Sequence, residues 1–120
     1  MSLRVLVADD STSMRKLVLR SLEAAGADAV TEAADGDEAT AKFSAGQFDL
    51  VLTDWNMPGK SGLEVVREIR SQDAAVKIMM ITTEAEPTRV AQAIAAGAAD
   101  CLVKPFTAAA LREKLQQHVF

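Results

Sequence analysis

The sequence predicts an α/β fold in which five parallel strands form one doubly wound sheet flanked by five helices. Short apolar segments rich in β-branched residues alternate with longer segments that repeat apolar residues at helical spacing. This alternation implies right-handed crossovers, and five units in 120 residues suit an open sheet better than a closed eight-stranded barrel. We therefore expect one domain over residues 1–120.

The strands are predicted from short apolar runs, three of which contain no alternation with polar residues. Such runs are typical of parallel strands whose two faces are both covered by helices. The predicted strands are Arg4–Ala8, Ala29–Ala33, Leu50–Thr53, Lys77–Thr82 and Cys101–Val103.

The first helix has the clearest pattern, because apolar and small residues from Met14 to Ala25 share one face and Gly26 follows as a stop signal. The same spacing predicts the remaining helices, two of which also end at a glycine. They are Asp37–Ala45 before Gly46, Gly62–Ser71, Pro87–Ala96 before Gly97, and Thr107–His118.

Composition and charge exclude several functional classes. The net charge of −4 argues against a surface that neutralises nucleic-acid phosphates, so we expect no nucleic-acid partner. No apolar stretch approaches the roughly 18 residues of a membrane span, and the first residues lack the features of a secretory signal. We expect a cytoplasmic protein with no membrane partner. Cys101 is the single cysteine, which excludes an internal disulfide and indicates a buried small hydrophobe.

A basic cluster lies on the predicted first helix, formed by Arg15, Lys16 and Arg20. Charge clusters on helices are commonly solvated surface, and we interpret this cluster in that way. The alternative interpretation is an encounter surface for an acidic partner.

Polar residues stand at the ends of four predicted strands. Asp9 and Asp10 follow the first strand, and Asp54 follows the third. Thr82 ends the fourth strand, and Lys104 follows the fifth. Because parallel strands all point the same way, their carboxyl ends meet at one edge of the sheet. We therefore expect three carboxylates, a hydroxyl and an ammonium group to share one site.

This set of groups indicates metal-assisted phosphoryl chemistry. Carboxylates in one crevice repel each other unless a cation neutralises them, and oxygen ligands without His or Cys favour Mg²⁺. A carboxylate can attack phosphorus to give an acyl phosphate while a metal and an ammonium stabilise the transferring oxygens. Taken singly, Asp9 and Asp10 could be a turn or helix cap and Lys104 a surface residue, so it is their shared edge that points to a site.

Four segments carry a specific combination of motifs: Val7–Ser11, Asp54–Gly59 with Gly62, Ile81–Ala85, and Val103–Thr107. Together they resemble the receiver domains of two-component response regulators, and most closely the CheY-like chemotaxis regulators. The resemblance covers the whole chain. We take the strand order 2-1-3-4-5 from the flavodoxin-like fold for which CheY is a known example, rather than deriving it from the pattern.

The resemblance implies how a phosphoryl group is taken up. Asp54 would accept it, Lys104 would hold a phosphoryl oxygen, and Thr82 would move to bond the phosphoryl group. The donor would be a histidine kinase or a small phosphodonor. A downstream protein would dock on the face formed by the fourth helix, fifth strand and fifth helix. Such a domain catalyses its own phosphorylation and dephosphorylation, and is a regulator, not an enzyme, present as a monomer or weak dimer.

The resemblance also implies the metal ligands. Asp10 and Asp54 would bind Mg²⁺ directly together with the main-chain carbonyl of Asn56, and Asp9 would assist. Asn56 and Glu84 would tune the lifetime of the acyl phosphate. Trp55 would lie beside the metal.

Cys101 departs from the chemotaxis regulators, which usually carry an aromatic residue there whose rotation accompanies the threonine shift. A cysteine cannot fill or vacate that pocket in the same way, so we expect a different output from the switch. The acceptor chemistry does not depend on this position. The resemblance further implies a cis peptide at Lys104–Pro105, where proline makes cis accessible.

Other functions stay open at this point. A phosphatase or phosphotransferase would use Asp54 on external substrates, but the sequence has no Asp-x-Asp motif after its first predicted strand and no substantial insertion for a substrate pocket. A flavodoxin-like cofactor binder needs a phosphate-cradling loop where Asp9 and Asp10 stand. The chain could also be a receiver that signals by contact without phosphorylation, or a receiver cut from a larger regulator with an output domain.

Overall fold

The computed structural model describes residues 3–83, 86–104 and 106–119 and contains a parallel five-stranded sheet of order β2-β1-β3-β4-β5. The predicted fold class and strand order are confirmed. The strands are β1 Arg4–Ala8, β2 Ala29–Ala33, β3 Leu50–Asp54, β4 Lys77–Thr82 and β5 Asp100–Val103. The helices are α1 Thr12–Ala24, α2 Gly36–Lys42, α3 Gly62–Gln72, α4 Pro87–Ala96 and α5 Ala108–His118. Within the described ranges, none of these helices has the length and apolarity needed to cross a membrane.

Helices cover both faces of the sheet and create two apolar clusters. Successive strand residues point to opposite faces, so each central strand supplies both clusters. The cluster under α2, α3 and α4 is built on Leu6, Val51, Ile78, Met80, Val66 and Ile69. The cluster under α1 and α5 is built on Val5, Leu52, Met79, Ile81, Leu22 and Leu111. This two-sided burial explains why the central strands are continuous apolar runs.

Short polar side chains cap the first turns of four helices. Ser11, Asp35, Ser61 and Thr107 each accept a main-chain N–H from the turn that follows. At α3, Glu64 reaches back to the N–H of Ser61 and completes a capping box. Each cap contributes about 1 kcal/mol. Since Ser11 caps α1, the two preceding aspartates are not needed for that purpose.

Helix α2 differs most from its predicted bounds, because the helix expected over Asp37–Ala45 ends at Lys42. Phe43 has φ −70° and ψ 135°, which ends the helix and leaves the side chain buried against Phe48 with ring centroids 5.8 Å apart. Burial of an aromatic side chain outweighs the small propensity of three further helical residues. Gly46 consequently lies in the following loop, at φ 80°.

Gly62 allows α3 to start directly against the end of β3. Its N–H donates to the carbonyl of Trp55 at 2.8 Å. A Cβ at this position would overlap the main-chain oxygen of Asp54 and lie 2.9 Å from the Sδ of Met80. The glycine therefore maintains the close packing that holds the last residue of β3 in place.

We expect Gly62→Ala to lower the free energy of unfolding by about 3 kcal/mol, because the added methyl group must displace a backbone carbonyl. Gly46→Ala is the matched control, since Gly46 also tolerates side chains poorly at φ 80° but has open space around it. The control should lose about 1 kcal/mol. Urea unfolding followed by circular dichroism measures both changes, and equal losses would contradict the packing role of Gly62.

Candidate functional site

Three carboxylates meet at the carboxyl-terminal edge of the sheet. One oxygen from each of Asp9, Asp10 and Asp54 lies within 4.8 Å of the others. Asp9 follows β1 and Asp54 ends β3, and these strands are neighbours in the sheet. Asp9 and Asp54 are buried, whereas Asp10 is exposed. The structure thus brings together the three carboxylates that we predicted, from their places at strand ends, to lie at one edge of the sheet.

The ammonium group of Lys104 lies between two of these carboxylates. Its Nζ donates to Oδ2 of Asp9 at 2.8 Å and to Oδ2 of Asp54 at 3.1 Å. The main-chain N–H of Lys104 donates to the carbonyl of Thr82 at 2.7 Å, which fixes the chain after β5 against β4. One ammonium among three carboxylates leaves the cluster with an excess of negative charge.

Asp9 is hydrogen-bonded through all of its polar groups. Its N–H donates to the carbonyl of Ala33 at 3.1 Å, and its own carbonyl accepts from Nη1 of Arg15 at 2.6 Å. Its Oδ1 accepts the N–H of Ser11 at 2.8 Å, and its Oδ2 accepts from Lys104. Reorientation of Asp9 would break several of these bonds at once, so this residue is the fixed centre of the site.

The surroundings of Asp54 make its ionisation costly. Burial raises the pKa of this carboxyl above its ordinary value, the charge of Asp9 raises it further, and Lys104 offsets part of the increase. For Lys104, burial lowers the pKa, but hydrogen bonds to both carboxylates outweigh that effect and raise it. The ammonium is therefore held charged beside a carboxylate that a further cation would stabilise.

Thr82 and Asn56 occupy different surroundings. Thr82 is buried at the end of β4, one residue after Ile81, which pairs with Asp54 in the ladder. It stands between the strand that carries the acceptor candidate and the strand that leads to Lys104. Asn56 is exposed in the turn after β3. That the main-chain carbonyl of Asn56 binds the metal stays a prediction. That Thr82 moves to bond the phosphoryl group stays one as well.

Trp55 and Cys101 both belong to the apolar cluster under α2, α3 and α4. The guanidinium of Arg89 on α4 lies over the Trp55 ring, 5.1 Å from its centroid. Cys101 is buried as predicted, and burial raises the pKa of its thiol, which is consistent with an inert side chain. The predicted role of Glu84 and the predicted cis peptide at Pro105 lie outside the described residues.

Arg15 is part of the site, and its interpretation as a solvated surface residue was wrong. Its side chain is only 14% exposed and bonds to Asp9, Glu32 and Thr12. The shortest hydrogen bond of Arg15 is to the main-chain carbonyl of Asp9. Every residue has such a carbonyl, so a sequence pattern cannot identify this partner. The remaining signal is its place in the first turn of α1, beside the end of β1. Lys16 and Arg20 are exposed, as the surface interpretation requires.

Comparison with protein families matches residues 5–116 to the response regulator receiver domain. Chemotaxis protein CheY-3 of Vibrio cholerae is 39% identical over 118 residues, which cover 97% of this chain and 91% of the relative. Chemotaxis protein CheY of Pseudomonas aeruginosa is 35% identical over 117 residues, which cover 96% and 94%. These relatives span almost the same length as this chain.

Solved structures agree with this similarity. Chemotaxis protein CheY4 of Vibrio cholerae matches with a TM-score of 0.89 at 40% identity, covering 100% of both chains. One chain of the CheX–CheY–BeF3–Mg²⁺ complex from Borrelia burgdorferi matches with a TM-score of 0.90 at 26% identity, covering 96% of this chain and 87% of that one. The chain therefore belongs to the response regulator receiver domains of two-component signalling, and within them it is CheY-like.

Proposed function

We propose that this receiver accepts a phosphoryl group on Asp54 beside a bound Mg²⁺ ion, and that phosphorylation changes a docking face for a protein partner. The observation that carries the proposal is the Lys104 ammonium held between Asp9 and Asp54, with Asp10 at the same edge. Together these groups would supply a nucleophile, a cationic stabiliser and a set of metal ligands in one crevice.

The residues present fit a hard divalent cation. Asp9, Asp10 and Asp54 offer oxygen atoms at mutual distances of 4.8 Å or less. Mg²⁺ prefers oxygen ligands and keeps several waters, which the exposed side of Asp10 can accommodate. The main-chain carbonyl of Asn56 would be a further ligand. When bound, the ion offsets carboxylate repulsion and withdraws charge from phosphoryl oxygens. The matched chain from Borrelia burgdorferi, in a complex with Mg²⁺, supports this choice of metal.

Asp54 is the nucleophile in this proposal. A carboxylate oxygen forms a bond to phosphorus while the bond from phosphorus to the donor breaks, and an acyl phosphate results. Lys104 lies 3.1 Å from Oδ2 of Asp54 and can neutralise a transferring oxygen without leaving its position. The acceptor then loses its phosphoryl group to water, so the domain promotes its own phosphorylation and dephosphorylation and remains a regulator.

The partners of the switch are a histidine kinase and a downstream protein. Thr82 would respond to a group on Asp54, and its position at the end of β4, the strand beside β3, supports this role. The face of α4, β5 and α5 exposes Ile94 and Val103, with 52% and 40% of their surface accessible, as apolar contacts for a partner. The CheY-type relatives favour chemotaxis as the process.

Acetyl phosphate with Mg²⁺ is expected to add one phosphoryl group to the parent, and Asp54→Asn is expected to abolish the addition because an amide is a poor nucleophile. Mass spectrometry of the intact protein measures the product. Glu113→Gln, an exposed change on α5, is the control and should react like the parent. Failure of the parent to gain mass at saturating Mg²⁺ would favour a receiver that signals by contact alone.

Without metal, Asp54→Asn is expected to raise the free energy of unfolding above that of the parent at pH 7. The folded pKa of Asp54 is raised, so the parent loses stability as pH rises through that pKa. Below the usual pKa of 3.8 the carboxyl is protonated in both the folded and the unfolded protein, so the cost of burying its charge disappears. The advantage of the variant should therefore shrink on acidification.

Urea unfolding of the parent and Asp54→Asn, from pH 7 down to below 3.8, measures the difference between their free energies of unfolding and tests its sign. Mg²⁺ should stabilise the parent more than Asp54→Asn, because it binds the folded carboxylates. A stability difference that stays constant with pH would contradict the assignment.

A further inference from the structure

We propose that Arg15 is a positioning residue for the metal site, because its guanidinium holds the peptide that joins Asp9 to Asp10. The role depends on the Mg²⁺ binding proposed above. Arg15 would not contact the ion. It would set the position from which the Asp10 carboxylate reaches it.

The contacts of Arg15 join three parts of the fold. Nη1 donates to the carbonyl of Asp9 at 2.6 Å, a short charge-assisted hydrogen bond. Nε lies 3.3 Å from Oε1 of Glu32 on β2, and Nη2 lies 3.4 Å from Oγ1 of Thr12 at the start of α1. The guanidinium therefore ties the loop after β1 to both the edge strand and the following helix.

Asp10 depends on this contact more than Asp9 does. The other polar groups of Asp9 bond to Ala33, Ser11 and Lys104, so its side chain stays in place through them. Because a peptide unit is planar, a fixed Asp9 carbonyl also fixes the nitrogen of Asp10 and the direction in which its chain continues. The Asp10 side chain is exposed. Holding its backbone in advance lowers the ordering cost of metal binding.

The electrostatic effect of Arg15 has the opposite sign. A guanidinium near a divalent cation repels it, so loss of the charge alone would strengthen Mg²⁺ binding. Loss of the positioning contact would weaken binding, because supporting hydrogen bonds of metal ligands typically contribute tenfold or more to affinity. The direction of the change therefore separates a positioning residue from a nearby charge.

The three contacts also require arginine rather than lysine. Its planar fork presents donors in several directions, whereas an ammonium on a flexible stem reaches one or two of these oxygens. Arg15→Lys keeps the charge and should recover only part of the affinity.

Isothermal titration calorimetry with Mg²⁺ at constant ionic strength tests the role on the full chain. Arg15→Met is expected to bind about tenfold more weakly than the parent. Lys16→Met is the matched control, because it removes the neighbouring exposed charge, and its affinity should be unchanged or slightly higher. Glu32→Gln keeps Arg15 but weakens one of its anchors, and it should bind a few-fold more weakly. If Arg15→Met does not fold, Arg15→Lys provides the test, because it keeps the charge and weaker binding would then report the lost contacts.

A second readout needs no metal. The backbone amide resonances of Asp10 and Ser11 in metal-free protein should broaden or split in Arg15→Met and stay sharp in Lys16→Met. Unchanged or tighter Mg²⁺ binding by Arg15→Met would overturn the role, as would weaker binding with unaltered resonances. Failure of the parent to bind Mg²⁺ would overturn the proposed metal site, and the role of Arg15 with it.

Discussion

The hydrogen bonds from Lys104 to Asp9 and Asp54 organise the edge of this domain. They join residues 95 and 50 positions apart in the sequence, at the ends of three strands. One ammonium neutralises only part of the carboxylate charge. Burial, together with the charge of Asp9, keeps the pKa of Asp54 raised despite that ammonium. The fold tolerates this cost because two well-packed apolar clusters support the strands on either side. A buried, incompletely neutralised carboxylate is the kind of group that proteins keep for chemistry.

The main outline of the fold could be predicted because each level of the sequence points to the same arrangement. Apolar runs predict buried parallel strands, parallel strands share a carboxyl-terminal edge, and the polar residues at that edge identify the site. Two features could not be predicted in this way. The end of α2 depends on the burial of Phe43 against Phe48, which is a tertiary effect. The role of Arg15 depends on a main-chain acceptor, which residue patterns do not encode.

Cys101 supplies a small side chain to the interior of this receiver. A small buried thiol lies in the same apolar cluster as Met80, Trp55 and Ala93 of α4. The contact of Arg89 with Trp55 links α4 to the residue that follows Asp54. Helix α4 is therefore connected to the segment that follows Asp54 both by this contact and by the shared apolar cluster.

The unequal burial of Asp9 and Asp10 bears on how quickly an ion can exchange. Asp9 is enclosed by four partners, while Asp10 faces water at the rim of the crevice. At the metal site proposed above, an incoming cation would meet Asp10 first, and reaching that exposed carboxylate would need no strand or helix to open. Since Mg²⁺ gives up its hydration waters reluctantly, the speed of loading would then be governed by the ion's own dehydration rather than by breathing of the domain.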